Sequence, residues 1–366
     1  MIRVTIDVGG TFTDCLVLDE AGEIHEFKSE TVPADPAAGL IRVLEKASKH
    51  FGLDLPRFMA NVGLLIAHGT TLSTNALLTG KTARVGLLTT DGFRDTIQFR
   101  RGYKNVHTTR FNLFVPPYRA IVPRHLRLPI RERVLHTGEI LTPLYEEDVH
   151  AAVAKLKAAE VEAVAICFLH AYANPQHEER ALEICRREMP GVYVTASHEV
   201  LPVFREGERF STTVVSAAVG PITERYLNAL TAKIGALGFR GTFYLVQGGG
   251  LVQTVDESVR RAVSLIGSGP AAAPSGAIRL GECVGTNNLF SVDMGGTSYD
   301  VCLIRNGAIP TADFNWVGEE LVAMKMVDVA SIGAGGGSLA WIDSLGLLRV
   351  GPESAGADPG PACYGK

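Results

Sequence analysis

A basic surplus is missing from this sequence. Its 366 residues carry 35 lysines and arginines against 39 aspartates and glutamates, a formal net charge of −4. That balance argues against a general nucleic-acid binder. No uninterrupted apolar run approaches membrane-spanning length. The opening Met1-Ile2-Arg3-Val4 starts directly in a strand-like run without a basic and apolar leader, so no secretory signal is expected. The six cysteines (Cys15, Cys167, Cys185, Cys283, Cys302, Cys363) form no C-x-x-C pair. Their scatter fits reduced thiols in the cytoplasm and argues against an iron–sulfur or structural zinc site. No Ser-His-Asp constellation or zinc-ligand spacing stands out, which leaves hydrolysis without a nucleotide poorly supported.

Glycine, by contrast, is abundant, and the 39 glycines cluster in motif loops rather than in a repetitive tract. Two of those loops are near-copies. Asp7-Val8-Gly9-Gly10-Thr11-Phe12-Thr13-Asp14 recurs as Asp293-Met294-Gly295-Gly296-Thr297-Ser298-Tyr299-Asp300. Each copy follows a short apolar run and leads into another, which predicts strand, tight turn, strand. Paired glycines permit positive φ and close approach of a ligand to the backbone. Successive N–H groups then form an anion nest, to which Thr11, Thr13, Thr297 and Ser298 add hydroxyls. A leading aspartate at a strand end, Asp7 or Asp293, can hold Mg²⁺ through water. Two such hairpins facing one cleft would grip a nucleotide's phosphates from both sides. Asp14 and Asp300, after the turns, either orient a hydroxyl or water or pin the turn.

Along the chain, strands are expected at 2–8, 13–18 and 23–28, then a helix from Asp35 ending before Gly52. A strand at 62–67 delivers His68-Gly69-Thr70-Thr71 at its carboxyl end, where α/β folds collect ligands, and a helix follows over 72–78. His68 reads either as an acid, base or substrate donor or as a histidine holding the loop. The segment 75–82 nearly matches a Walker P-loop, but it follows a helix and reads as a cap. A strand at 85–89 is followed by a helix from Asp91-Gly92. The stretch 100–133 is basic, proline-marked and irregular: a substrate lid, a surface for an acidic partner, or a solvated connector. Helix, strand, helix, strand over about 140–200 predicts a small α/β insertion. Arg205-Glu206-Gly207-Glu208-Arg209 opens a long helix that Pro221 should kink, its charges reading as a cleft cluster or a solvated face. Residues 263–266 read as a strand before Gly267-Ser268-Gly269-Pro270-Ala271-Ala272, locally a dinucleotide-binding fingerprint. Asp293 ends the next strand, as that fingerprint requires, yet it also opens the second hairpin. The glycine loop Gly333 to Ser338, with Gly335, Gly336 and Gly337, is a candidate cradle for phosphate or adenine.

The duplicated hairpins resemble the phosphate-binding loops of the actin-like ATPase superfold, which sugar kinases and heat-shock chaperones share. The motifs around them narrow the resemblance to the hydantoinase A/oxoprolinase family. These are Ile6 to Asp14, His68 to Leu78, Ser268 to Ala273, Ile332 to Ser338 and Ser354 to Gly365. The chain lacks the aromatic that the family usually shows at Gly207. The resemblance implies an α/β, ribonuclease H-like fold with mixed sheets. It implies an N-terminal domain over 1–200 with the insertion, and an ATPase domain over 201–366 that is incomplete at its end. Family members are typically longer, so the chain is expected to be the N-terminal part of such a subunit.

The implied activity is ATP-dependent phosphorylation of a carbonyl oxygen, as a cyclic amide hydrolase or, alternatively, as a ketone carboxylase acting on an enol. ATP and Mg²⁺ (or Mn²⁺) would be the cofactors, with a hydantoinase B-type subunit or the missing C-terminal part as partner. Asp7 and Asp293 would position the metal. Gly9, Gly10, Thr11, Thr13, Gly295, Gly296, Thr297 and Ser298 would hold phosphate, and His68, Thr70, Thr71 and Asn75 would meet the substrate. An ATP-driven switch and an inactive scaffold half are the readings from other classes.

Overall fold

A computed structural model describes residues 1–9, 11–32, 36–67, 72–102, 118–356 and 358–365. The chain opens with a meander: β1 (Ile2–Val8), β2 (Phe12–Leu18) and β3 (Ile24–Glu30). Ile2, Val4, Ile6 and Val8 alternate into the core, as a half-buried strand requires. The face they form is covered by α1 (Pro36–His50), whose Leu40, Val43, Leu44 and Ala47 recur at helical spacing. Gly39 lets the helix lie close, because a Cβ there would sit 2.9 Å from Thr13 Oγ1. Helix α2 (Leu55–Asn61) starts at Asp54, whose carboxylate accepts from the Arg57 N–H at 2.8 Å. Strand β4 (Val62–Ala67) then pairs parallel with β1, and α3 (Leu72–Leu78) follows. Gly80, in the left-handed conformation at φ 68°, ends that helix, so the near-Walker segment is a cap.

The second sheet begins earlier than the sequence pattern indicates. Strands β5 (Val85–Thr90) and β6 (Arg127–Ile130) belong to it, together with β7 (Ala163–Cys167) and β8 (Tyr193–Ala196), in the order β8-β7-β5-β6 and all parallel. The α/β unit that the helix–strand alternation places at 140–200 therefore reaches back to Val85. Its helices are α4 (Glu146–Ala158) and α5 (Gln176–Glu188). Of the irregular basic stretch 100–133, residues 103–117 lie outside the described residues, while Arg127–Ile130 is a strand of the second sheet. Asp91-Gly92 forms a turn, and helix resumes only at Thr96–Phe99.

Helix α6 (Glu206–Ala236) runs 31 residues with Pro221 inside it. Its Phe210, Val214, Ala217 and Ala218 pack in the core of the second sheet, and its Leu230 and Ile234 in that of the first. One helix thus ties both cores. Of the charges that open it, Arg205 is exposed, but Glu208 and Arg209 are not a solvated face. Arg209 is buried and donates to the Phe168 and Val203 carbonyls, while buried Glu208 accepts from Arg101 at 2.8 Å. Strands β9 (Thr242–Val246) and β10 (Val252–Thr254) complete the first sheet, in the order β10-β9-β4-β1-β2-β3.

Residues 263–266 are not a strand: Ala262–Leu265 is a 3₁₀ turn with every side chain buried. Its Ser264 carbonyl accepts from Gly248 N–H at 2.8 Å. A run of four residues, three of them apolar, is too short for a period to distinguish the two conformations. The next helix breaks at Ala272 and resumes as α7 (Ala273–Val284). Strands β11 (Leu289–Met294), β12 (Tyr299–Ile304) and β13 (Ala330–Ile332) form a second antiparallel meander.

Candidate active site

The two hairpins are copies in three dimensions, down to the register. In the first, Asp7 lies opposite Asp14 and Val8 opposite Thr13; in the second, Asp293 lies opposite Asp300 and Met294 opposite Tyr299. One hydrogen bond closes each turn, from Gly9 N–H to the Phe12 carbonyl and from Gly295 N–H to the Ser298 carbonyl, both at 3.0 Å. Each trailing aspartate is held by the residue directly across on the third strand. Lys28 Nζ donates to Asp14 at 2.7 Å, and Ser331 Oγ donates to Asp300. Ser298 Oγ adds a second bond to Asp300 at 3.2 Å. Of the two roles open to these aspartates, pinning the hairpin is the one visible in the hydrogen bonds.

The tips of the hairpins meet. A Cβ on Gly296 would lie 2.5 Å from Thr11 Oγ1, so glycine is what lets the second turn approach the first. None of Gly9, Gly295 and Gly296 has positive φ. Close approach, rather than a left-handed backbone, accounts for glycine at 296; Gly10 lies outside the described residues. Between the turns opens a cavity of about 550 Å³, lined by residues from both hairpins, by Gly269 and Pro270, and by Cys363 and Tyr364. Phe12 and Tyr364 form an edge-to-face pair across one side, with ring centroids 6.0 Å apart.

Negative charge concentrates here. Asp7, Asp14, Asp293 and Asp300 all line the cavity, and Lys28 is its one lysine or arginine among the described residues. Burial, then the charges of Asp14 and Asp293, push the Asp7 carboxyl up to about 6 against the partial relief of Lys28. Asp293 is also raised, by burial first and then by Asp300 and Asp14. Carboxylates held together at this cost suit a bound cation, and an all-oxygen donor set suits Mg²⁺ or Mn²⁺. Among the described residues, the acids of the cavity do not bring three ligand atoms within 4.8 Å of one another; the one such trio is Asp19, Glu23 and His25, elsewhere on β2–β3. A metal held by Asp7 and Asp293 would therefore keep several waters, as Mg²⁺ prefers.

Most of the residues singled out in the hairpins do gather at this cavity: Asp7, Gly9, Thr11, Asp14, Asp293, Gly295, Gly296, Thr297, Ser298 and Asp300. Thr13 does not line it. Its hydroxyl is buried and bonds Thr31 Oγ1 at 2.9 Å, and Thr31 in turn donates to the Gly9 carbonyl. Thr13 braces the turn from behind because it shares the face of β2 that α1 covers.

The glycine loop is a support as well. Gly336 and Gly337 donate their N–H groups to the Gly295 and Gly296 carbonyls at 2.9 and 2.8 Å, and Gly335 donates to Ser338 Oγ. Of Gly333, Gly335, Gly336, Gly337 and Ser338, only Gly336 lines the cavity. Asn75 is exposed on α3, where its carbonyl caps Thr79, and it is not among the lining residues. His68, Thr70 and Thr71 lie outside the described residues. Sequence reasoning missed Lys28 and Tyr364. Lys28 becomes visible once the β2–β3 turn fixes the register, since it then falls opposite Asp14.

Comparison with known proteins shows the family. The hydantoinase/oxoprolinase N-terminal region matches residues 3–189, and the hydantoinase/oxoprolinase model matches residues 209–366. Caprolactamase subunit alpha of Pseudomonas jessenii is 40% identical over all of this chain and 52% of its own length. The crystal structure of the ATP-dependent caprolactamase from that organism superposes with a TM-score of 0.85 at 39% identity, again over all of this chain and 52% of that one. The nucleotide-free structure of acetone carboxylase gives a TM-score of 0.83 at 29% identity, covering 98% of this chain and 52% of that one. The chain thus spans about half the length of these relatives. Duplicated hairpins, a shared acidic cavity and two family models that together run nearly end to end lead to one assignment: this chain belongs to the hydantoinase/oxoprolinase family.

Proposed function

We propose that the chain is the ATP-binding part of an ATP-dependent cyclic amide hydrolase subunit, one that activates a substrate carbonyl by phosphorylation. The observation that carries this is the pair of matched hairpins meeting at one acidic cavity, Gly296 against Thr11. An unstrained lactam or hydantoin carbonyl is resonance-stabilised and resists water. Attack of its oxygen on the γ-phosphorus of ATP releases ADP and leaves an O-phosphorylated imidate. Water then adds to that carbon and the C–N bond breaks, leaving the ring-opened amine with an acyl phosphate, which a second water hydrolyses to the carboxylate and orthophosphate.

Catalysis of the first step is positioning and electrostatics. Backbone N–H groups and the Thr11, Thr297 and Ser298 hydroxyls hold the phosphates, and Lys28 adds the cavity's positive charge. Asp7 and Asp293 hold the metal, which when bound neutralises phosphate charge. His68, Thr70 and Thr71 are the residues assigned to the substrate carbonyl. A hydantoinase B-type subunit, or the half of the subunit that this chain does not span, completes ring opening. Support for a partner comes from relatives named as subunits: caprolactamase alpha, acetophenone carboxylase gamma and acetone carboxylase beta. Among the described residues no helix is long and apolar enough to cross a membrane, and the six free cysteines suit a cytoplasmic location.

The test is phosphate release from ATP by this chain with and without its partner chain. Caprolactam, hydantoin and 5-oxoproline are compared with ketones plus bicarbonate, and Asp7→Asn is the control. Stimulation by a cyclic amide that disappears in the control is the expected result. Stimulation only by a ketone would transfer the assignment to the carboxylases, whose acetophenone member is 34% identical.

A further inference from the structure

The second sheet is all parallel, and its strand order β8-β7-β5-β6 changes direction once. The chain leaves β5 towards β6 on one side and leaves β7 towards β8 on the other. The crevice between the carboxyl ends of β5 and β7 is the place where open α/β sheets of this order bind their ligands, phosphate groups included. Its floor is a network of buried polar groups. Thr90, the last residue of β5, donates to Glu132 and accepts from the Leu169 N–H at 2.9 Å. The other oxygen of the buried Glu132 bonds His177 Nδ1, also at 2.9 Å.

Beyond that floor stand cations with little counter-charge. A short hairpin, Arg133–Val134 with Ile140–Thr142, is tied to the loop after β7, because Asn174 Nδ2 donates to the Gly138 carbonyl at 2.9 Å. The hairpin brings Arg133 and His136, and the loop brings His170 and Tyr172. The two imidazoles lie edge to face with ring centroids 6.4 Å apart, and the Tyr172 hydroxyl is 3.4 Å from His170 Nδ1. Arg133 lies over Phe93, of the loop after β5, at 5.1 Å from the ring centroid. Buried Arg209, from α6, lies 5.4 Å from the Tyr172 ring centroid, and its Nε has no hydrogen-bond partner. Among the described residues no carboxylate forms an ion pair with Arg133, His136 or His170. Burial, then the charges of Arg133, Arg209 and His136, hold His170 below its ordinary value, against the pull of Glu206. His170 also keeps a left-handed φ of 56°, where its carbonyl accepts from the Ala173 and Asn174 N–H groups at 2.8 and 3.3 Å.

The geometry points to a second ligand site, at the crevice between β5 and β7, that takes a phosphate-class dianion on Arg133, His136, His170 and Tyr172. The donors come from two separate segments, so they reach oxygens that point in different directions. That suits a tetrahedral phosphate better than a planar carboxylate, which one guanidinium fork can satisfy alone. Arg133 brings a permanent charge, and each imidazole donates an N–H and takes up a proton more readily once the anion is present. Arg209 is a positioning charge behind Tyr172. Free orthophosphate and the phosphate monoester of a nucleotide present the same dianion. The site lies on the second sheet and shares no residue with the acidic cavity, so the inference stands whether or not that cavity takes ATP.

The experiment titrates the chain with inorganic phosphate by calorimetry, at neutral pH and constant ionic strength, with EDTA present so that the acidic cavity holds no metal. A saturable 1:1 isotherm is expected, weakened about tenfold or more in Arg133→Met and in His170→Asn, the scale of losing a charged hydrogen bond. Both substitutions spare the fold, since methionine keeps an apolar stem over Phe93 and asparagine tolerates positive φ. Lys28→Met, in the acidic cavity, should bind phosphate as wild type does. Proton NMR of the histidine rings gives a second readout: the His136 and His170 signals should move with phosphate, and the titration midpoint of His170 should rise. Adenosine monophosphate in place of phosphate separates the two sources: tighter binding identifies a nucleotide monoester, and equal or weaker binding identifies free phosphate. Acetate should compete about tenfold less well or worse. No saturable binding, an isotherm unchanged in either crevice variant, an isotherm lost in Lys28→Met, histidine signals that do not move, or acetate competing as well as phosphate would each overturn the inference.

Discussion

Asp7 is placed where its own charge is least welcome. Burial and the neighbouring Asp14 and Asp293 raise its carboxyl to about 6, above its ordinary value near 3.8. Below about pH 4 the group is protonated folded or unfolded. Between about pH 4 and 6 the native state binds the extra proton, and the stability this confers is lost as pH rises through about 6. Asp7→Asn should therefore match wild type in urea at pH 4 and exceed it by about 1–3 kcal/mol at pH 7.5 without divalent ions. A variant less stable at pH 7.5 would mean that Asp7 is satisfied by contacts rather than strained by charge. The same substitution should cut ATP turnover by about 10²-fold or more, the scale of losing a preorganised electrostatic contact.

Lys28 makes the complementary case. Its bond to Asp14 is half exposed and contributes about 0–1 kcal/mol to folding. Lys28→Met should thus leave the urea midpoint nearly unchanged yet weaken ATP binding by about tenfold, measured by calorimetry, because a charged hydrogen bond to phosphate is lost. Equal affinity in the variant would remove Lys28 from the phosphate site.

At the scale of elements, the glycine loop 333–338 acts as a brace behind the second turn. A Cβ on Gly335 would lie 2.5 Å from the Gly295 carbonyl oxygen and 2.8 Å from Thr297 N, both backbone atoms with little room to yield. On Gly295 the nearest atom to a Cβ would be 3.9 Å away. Gly335→Ala should destabilise by about 1–3 kcal/mol, as overpacking does, and Gly295→Ala by far less; thermal melts of the two variants decide it. If both melt alike, the loop does not brace the turn.

Elements of this kind also explain what the sequence did and did not disclose. Each hairpin is written locally, in period-two alternation around a glycine pair, so both were readable at once. The helix over α1 was equally readable, from one stripe of four residues. The start of the second sheet at Val85 was not, because parallel pairing of β5 with β7 joins segments almost eighty residues apart. The brace was hidden for the same reason. Gly336 and Gly337 look like phosphate binders until the Gly295 and Gly296 carbonyls are seen to accept their N–H groups.

Across the whole molecule, the cavity is made by segments near opposite ends of the chain, and α6 ties the cores of the two sheets. A ligand that bridges the hairpins binds only the folded state, so it must add stability by mass action. At 100 times its dissociation constant, Mg·ATP should contribute about 2.7 kcal/mol and raise the melting temperature by a few degrees. The metal has a specific part in this shift. With ATP but no divalent ion, phosphate charge meets four carboxylates and one lysine, and repulsion opposes binding. EDTA should therefore abolish most of the shift. Because Asp7 and Asp293 occupy equivalent places in the two copies, Asp7→Asn and Asp293→Asn should each abolish it to a similar degree. A shift that persists in EDTA would mean that the carboxylates do not hold a metal for ATP. A shift lost in Asp7→Asn but kept in Asp293→Asn would mean that one hairpin binds the phosphates alone.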